Sequence, residues 1–266
     1  MSVEIKYKGN TIASANTDTT KTLKTSGKYC EDDIEIVNTQ DGGSAFNPLL
    51  YATTAEELFR NATLPHQTHF TFGASVKSMM NMCRQATLES GEGDAEIKIS
   101  KVSGGNAVTS LTYAFYNVNN IKRIVVDFDT SHIANWNYAF FKQHPYGLRE
   151  VVGELDFSAA TGVTSVFCNH NQNTSLKEMR IAKNTLAISG FNLNVTPISD
   201  DSCVSIANGL NESAEGKTIG LPAKISTIRG TSSLDTAGAY HIFTADASGT
   251  MTLSEFITTI KGWTLV

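Results

Sequence analysis

Several stretches of the chain carry one irregular cassette, and that recurrence restricts the fold more than any other feature. The two clearest copies are Val108-Thr-Ser-Leu111-Thr-Tyr-Ala114-Phe115 followed by Ile121-Lys-Arg-Ile124-Val-Val126, and Ile133-Ala-Asn-Trp136-Asn-Tyr-Ala139-Phe140 followed by Leu148-Arg-Glu-Val151. A third runs from Val163-Thr-Ser-Val166 into Leu176-Lys-Glu-Met179-Arg-Ile181, and a weaker one from Val76-Lys-Ser-Met79 to Glu96-Ile97-Lys-Ile99. His69-Phe70-Thr-Phe72 reads as the strand of a partial unit before these. Phe70, Ile97, Ile124, Val151 and Met179 follow one another at steps of 27, 27, 27 and 28 residues. A unit of that length cannot bury its apolar side alone, so such a period predicts a solenoid in which each unit packs on its neighbours.

Within each unit the pattern L-x-x-L-x-L fits a strand whose alternate side chains turn inward. Ile121, Ile124 and Val126 follow it, as do Leu176, Met179 and Ile181. Gly153 interrupts the fourth strand, and Asp94 and Gln67 stand at the first apolar position of the weaker ones. The doublets Ala114-Phe115 and Ala139-Phe140 belong to the core, since aromatics at repeat positions mainly pack.

Around the array the chain divides into further parts. Residues 1–40 read as a small antiparallel β unit. Val3, Ile5 and Tyr7 alternate with charged residues, Lys8-Gly9-Asn10 supplies a turn, and Lys21-Thr-Leu23, Tyr29-Cys30 and Ile34-Glu-Ile36-Val37 complete it. Residues 41–48, with Gln40-Asp41-Gly42-Gly43-Ser44 at their start, read as a linker. Residues 49–266 are assigned to the repeat domain, with repeats over about 55–190 and an atypical capping region at 191–266. Thr54-Ala-Glu-Glu-Leu58-Phe59 is a candidate helix. Ser199-Asp200-Asp201 caps a second one, whose Cys203, Ile206, Ala207 and Leu210 share a face. Lys217-Thr-Ile219-Gly-Leu221 reads as a strand. Thr252-Leu-Ser-Glu255 is a capping box, Phe256, Ile257 and Ile260 form an apolar stripe, Gly262 stops the helix, and Trp263-Thr-Leu265 is a last strand. Residues 226–247 carry no pattern that assigns them. The fold class expected is therefore a mixed α/β solenoid with a helix-strand C-terminal cap.

Composition narrows the chemistry. A net charge of -5, with no basic cluster interleaved with aromatics, gives no footprint for nucleic acid. No apolar run approaches the roughly 18 residues of a membrane helix, and Met1-Ser-Val-Glu-Ile-Lys-Tyr-Lys8 lacks a signal core. Cys30, Cys83, Cys168 and Cys203 are scattered, with no C-x-x-C pair; Cys83, which aligns with Phe115 and Phe140, and Cys203, on an apolar helix face, read as buried thiols. Fragments of sites are present: His66 with His69, Cys168 beside His170, Asp127 with Asp129, and Glu154 with Asp156. None supplies a third metal ligand at the right spacing, an orienting group for a nucleophile, or a known catalytic motif, so neither catalysis nor a cofactor is expected.

The cassette, its L-x-x-L-x-L strand and the return Asp129-Thr130-Ser131-His132-Ile133 resemble the BspA-like leucine-rich repeats of bacterial surface and phage proteins. The stretch Asp156-Phe-Ser158 to Gly162 is a similar return with a short insertion. Lys21-Thr-Leu-Lys-Thr-Ser-Gly-Lys-Tyr-Cys30-Glu-Asp-Asp-Ile34 is similar to a segment near the start of tail and minor structural proteins of phages and prophages of Gram-positive gut bacteria. Ser199 to Leu210 and the ending Lys261-Gly-Trp-Thr-Leu265 look like the terminal cassette of the same proteins. The resemblance implies adhesion or interaction without catalysis. It leaves three roles open: a tail-associated protein presenting its repeats to a bacterial surface, a secreted or cell-surface adhesin aimed at host protein, and a virion component that packs on other subunits. The corresponding locations are the virion or extracellular space, or a bacterial surface. The N-terminal sheet could assemble into a homo-oligomer.

The outward strand positions form the natural binding surface of such an array. At the repeat spacing they make three rows: His69, Glu96, Arg123, Glu150 and Glu178; Thr71, Lys98, Val125, Val152 and Arg180; and Ser100, Asp127 and Glu154. The candidate ligand-binding residues are Glu96, Lys98, Arg123, Val125, Asp127, Glu150, Val152, Glu178 and Arg180, where paired valines flanked by charge suit a protein or glycan partner. The plainer alternative is a solvated sheet face with ion pairs such as Arg123 with Glu96 or Glu150.

Overall fold

The computed structural model describes residues 2–7, 10–16, 34–38, 54–74, 76–101, 108–142, 147–167, 175–212 and 216–266. The first three segments are strands β1 (Ser2–Tyr7), β2 (Asn10–Asn16) and β3 (Ile34–Asn38), an antiparallel sheet in the order β2-β1-β3. These are the hairpin and the Ile34–Val37 strand expected in the N-terminal β unit. The expected strands at Lys21–Leu23 and Tyr29–Cys30 and the linker at 41–48 lie outside the described residues.

From residue 54 the chain winds as a mostly-β parallel solenoid. Short β4 (Thr63–Leu64) precedes β5 (Gln67–Phe72), and short β6 (Thr87–Leu88) precedes β7 (Glu96–Lys101). Then come β8 (Arg123–Asp127), β9 (Glu150–Leu155) and β10 (Glu178–Ile181). Five of these strands form one parallel sheet in the order β10-β9-β8-β7-β5, and β4 pairs separately with β6. Ile97 lies opposite Ile124, and Ile124 opposite Val151, as the 27-residue period requires.

The first step differs from that period. Thr68, not Phe70, lies opposite Ile97, and Phe70 lies opposite Ile99. Thr68 occupies an inward position at 3% exposure because its hydroxyl donates to the Pro65 carbonyl at 3.0 Å, which removes the cost of burying it. Phe70 and Phe72 alternate equally well in either register, so the apolar pattern could not separate them. The last step is also irregular. Glu178 pairs with Glu150, but Arg180 pairs with Glu154, so β9 bulges over Val151–Gly153. Gly153 has φ +114°, and a Cβ there would stand 2.3 Å from the Val126 carbonyl oxygen.

The opposite wall is not helical. Glu57, Asn61, Asn81, Gln85, Tyr113, Asn117, Tyr138 and Ser165 all have positive φ. In place of the helix expected over Thr54–Phe59 there is a ribbon of consecutive turns. Left-handed residues at four-residue spacing break the helical ladder and aim alternate N–H groups at the next rung. The N–H groups of Ala55, Glu57, Phe59 and Asn61 donate to the carbonyls of Ser78, Met80, Met82 and Arg84. Those of Met79, Asn81, Cys83 and Gln85 donate in turn to Ser110, Thr112, Ala114 and Tyr116. Four ribbons open on a polar residue that accepts from the N–H two positions on, at Thr54, Ser78, Ser110 and Asn135. The one holding Ser165 opens at Gly162, and its Thr164 N–H donates to the Asn137 side chain instead.

The core fills the space between ribbon and sheet. Phe115 stacks on Phe140 at 5.7 Å, and Phe140 on Phe167 at 5.4 Å. Cys83 occupies the equivalent place one rung earlier and is fully buried, as expected for a thiol at the position of Phe115 and Phe140. Trp136 is fully buried and donates its indole N–H to the Ile133 carbonyl at 3.0 Å. Each such ring contributes about 1.5–3 kcal/mol by burial, so these positions account for the stack without a ligand.

Helix α1 (Asp200–Gly209) closes the array, with Ser199 as its N-cap and Cys203, Ile206, Ala207 and Leu210 buried as the spacing predicted. Beyond it lie β11 (Thr218–Ile219), a 3-10 turn at Ala223–Ser226, β12 (Arg229–Leu234), β13 (His241–Ala245) and β14 (Met251–Thr252). The unassigned segment 226–247 is therefore mainly an antiparallel hairpin, in a sheet of order β13-β12-β14. The capping box at Thr252 and Glu255 is present, and its helical turn runs on as π-helix over Phe256–Ile260. Gly262 ends it at φ +69°, and β15 (Thr264–Leu265) pairs parallel with β11.

A polar stripe on α1 seals two sheet edges. Ser202 accepts the Met179 N–H and Ser205 the Ile181 N–H, both at 3.0 Å, which completes the outer edge of β10. Three residues on, Asn208 receives the Phe243 N–H at 2.7 Å and donates to the Phe243 carbonyl at 3.0 Å, as a neighbouring strand would. Glu212 accepts the His241 N–H at the next edge position of β13. Buried backbone groups need partners, and Ser202, Ser205 and Asn208 at helical spacing on α1, with Glu212 just beyond the helix, provide them.

Candidate interaction surface

The register fixes what the outward face displays. Its first row is Gln67, Glu96, Arg123, Glu150 and Glu178, and its second is His69, Lys98, Val125 and Val152. Thr71, Ser100 and Asp127 form the third. His69 and Thr71 thus each stand one row from their expected places, because the first step is 29 residues rather than 27. Arg180 lies opposite Glu154 instead of continuing the Val125–Val152 row, because the β9 bulge shifts the pairing.

Much of this face is internally paired. Arg123 Nη1 lies 3.1 Å from Glu96 Oε2, and its Nε lies 2.9 Å from Glu150 Oε2, a contact without hydrogen-bond alignment. Lys98 Nζ lies 2.9 Å from Asp127 Oδ2. Glu178 accepts from the hydroxyls of Ser199 at 2.7 Å and Ser202 at 3.1 Å. The ion pairs of Arg123 and Lys98 bridge neighbouring strands and are each worth about 0–1 kcal/mol, whereas Glu178 is held by the start of α1.

One chain of groups invites a catalytic reading. His69 Nε2 lies 2.9 Å from Ser100 Oγ, and that hydroxyl donates to Asp127 Oδ2 at 3.0 Å. The single serine proton points to the acceptor-only carboxylate, so the imidazole must be the donor in its contact. That polarity is opposite to the one in which histidine removes a serine proton. The hydrogen bonds from Lys98 and Ser100 hold the Asp127 carboxyl below its usual range, which also weakens it as a base.

The other fragments separate. His66 contacts the Glu89 carbonyl oxygen at 3.0 Å through Nδ1, away from His69. Asp129 and Asp156 accept the N–H groups of Ser131 and Ser158 as turn formers. Among the described residues no group of three His, Cys, Asp or Glu could hold a metal ion, and no helix is long and apolar enough to cross a membrane. Cys168 and His170 lie outside the described residues. Burial pushes the Cys203 thiol up to about 11.

The C-terminal end of the face differs from the rest. A hollow of about 550 Å³ lies over the bulge, walled by Glu150, Val152, Glu154, Glu178 and Arg180. A second of about 410 Å³ adjoins it and shares Glu154 and Arg180. Its other walls are Lys183, Asp201 and Ser205, with Asn208 and Thr244. Sequence reasoning missed Lys183 and Thr244, which lie in a connection and in the unassigned hairpin. It read Asp201 only as part of a helix cap.

Comparison of the chain with protein-family models, curated proteins and solved structures finds no match.

Proposed function

We propose that the chain is a non-enzymatic interaction module of the BspA-like leucine-rich-repeat type, tail-associated in a phage or prophage, presenting the outward face of its sheet to a bacterial surface ligand. One observation carries this reading: the face is continuous across five strands and ends in two joined hollows shaped by the β9 bulge. A bulge re-aims side chains and opens a concavity where a regular ladder would be flat. Pockets of this size and polarity suit recognition of a small unit of a larger ligand. The Val125–Val152 pair, flanked by Lys98 and Arg123, adds a modest apolar contact to a polar rim.

The reading is tested by presenting the intact chain to arrays of bacterial surface glycans and surface proteins. A ligand should be retained, and joint replacement of Lys98, Arg123 and Arg180 by alanine should remove it while the variant still melts in one cooperative transition. Unchanged affinity in the triple variant would remove the sheet from consideration, and the absence of any ligand would refute the module itself.

A further inference from the structure

The cations around the C-terminal hollow are distributed unequally. Lys98 and Arg123 on the sheet, and Lys224 and Lys261 in the cap, each stand within 3.1 Å of a carboxylate. Arg180 and Lys183 line the second hollow, and among the described residues neither has a carboxylate within ion-pair distance, although Glu154 and Asp201 share the same walls. Both are exposed. Their charge is therefore available to a ligand, while Lys98 and Arg123 are each held by a carboxylate of the sheet.

The remaining walls restrict what that ligand is. Ser205 and Asn208 are fixed by their bonds to Ile181 and Phe243, which makes the floor rigid. Thr244 presents a hydroxyl from the exposed side of β13, and Glu154 and Asp201 present acceptors. Ile181 and Phe243 are buried, which leaves the half-buried Val204 and the exposed Ala245 as the apolar part of the walls, without the open aromatic ring that anchors much peptide recognition. Two guanidinium- and ammonium-type donors set among carboxylate and hydroxyl groups match a ligand with one anionic substituent and several hydroxyls.

We infer that the hollow between β10, α1 and β13 binds an acidic sugar unit, a polyhydroxylated residue carrying a carboxylate or phosphate. This deepens the function proposed above and rests on it. Arg180 and Lys183 take the anion. Glu154, Asp201 and Thr244 receive or exchange hydrogen bonds with ring hydroxyls. The Arg180 guanidinium spans both hollows and so orders the next unit of the ligand over the bulge.

The test uses the intact chain and three oligosaccharide probes of equal length: one containing uronic acid, one bearing phosphate, and a neutral one. A fourth probe is a basic peptide. At least one acidic probe should bind about tenfold or more tightly than the neutral probe, the effect expected for a charge-assisted contact. Joint replacement Arg180→Gln and Lys183→Gln should reduce that probe to the neutral level with an unchanged melting temperature. Preference between the uronate and phosphate probes identifies the anion. Equal binding of neutral and acidic probes, tighter binding of the basic peptide, or full retention by the double variant would each overturn the inference. If the chain captures a surface ligand on arrays but ignores every acidic probe, the inference fails while the interaction module stands. If it captures nothing, both fail.

Discussion

Replacing Ser202 and Ser205 by alanine should loosen the C-terminal end of the solenoid while leaving its middle intact. Ser202 is 1% exposed, and its hydroxyl receives the Met179 N–H at 3.0 Å while reaching the Lys177 carbonyl at 3.3 Å. Ser205 receives the Ile181 N–H at 3.0 Å. Alanine leaves each of these edge-strand N–H groups without an acceptor, at a cost of about 1–3 kcal/mol apiece. For a chain of this size each kcal/mol lowers Tm by roughly 2–4 °C. In native-state hydrogen exchange, the amides of Met179 and Ile181 should exchange about 5- to 150-fold faster in the single variants. Ile97 and Ile124, in the interior of the sheet, should be unchanged. Wild-type exchange at Met179 in the Ser202 variant would refute the reasoning, because the edge would then be satisfied by something other than the helix.

Three further outcomes follow from the core and the cap. Phe140→Ala removes the ring between Phe115 and Phe167, and urea unfolding should show a loss of roughly 3–5 kcal/mol. Glu212→Gln should cost about 3 kcal/mol, because it leaves the fully buried Lys261 ammonium without its carboxylate at 2.9 Å, and adding Lys261→Met should recover most of that loss. Partial burial opposes ionisation of Glu212, but hydrogen bonds from Lys261 and His241 outweigh it and hold the carboxyl low. Its contribution is thus complete above the unfolded carboxylate's range of about 4.3 and is lost as acid protonates the folded form. Melting at descending pH should therefore decline more steeply below that value in the wild type than in Glu212→Gln. Cys203, pushed up to about 11, should resist alkylation at pH 8 in the native chain and react at once in denaturant.

The sequence announced those features that periodic burial controls. Ile97, Ile124 and Val151 share their rungs because nothing interrupts the 27-residue step between them. The Ser199 cap and the Thr252–Glu255 box were visible because capping depends on residues three apart in the chain. Thr68 was hidden because its burial depends on a local bond to Pro65 that hydropathy does not register. The turn ribbon was hidden for a different reason: the spacing of Leu111, Ala114, Phe115 and Val118 fits a helix as well as it fits successive turns. The polar residue opening four of the ribbons was the available signal, since Ser78, Ser110 and Asn135 each close a local turn.

The candidate site was legible in outline. Its rows depended on register, so His69, Thr71 and Arg180 moved when the bulge and the 29-residue step replaced a uniform period. Arg123 was correctly set beside Glu96 and Glu150, because charges at one repeat spacing meet across parallel strands. The second hollow joins Glu154 to Thr244 across residues far apart in the chain, and only the folded cap brings them together.

Carboxyl footprinting of the intact chain, with and without its captured surface ligand, addresses the central proposition most directly. Carbodiimide labelling should fall at Glu154 and Asp201 in the complex and remain unchanged at Asp235, in the turn between β12 and β13. Unaltered labelling at Glu154 and Asp201, with protection appearing elsewhere, would contradict the assignment of the sheet's C-terminal face as the interaction surface.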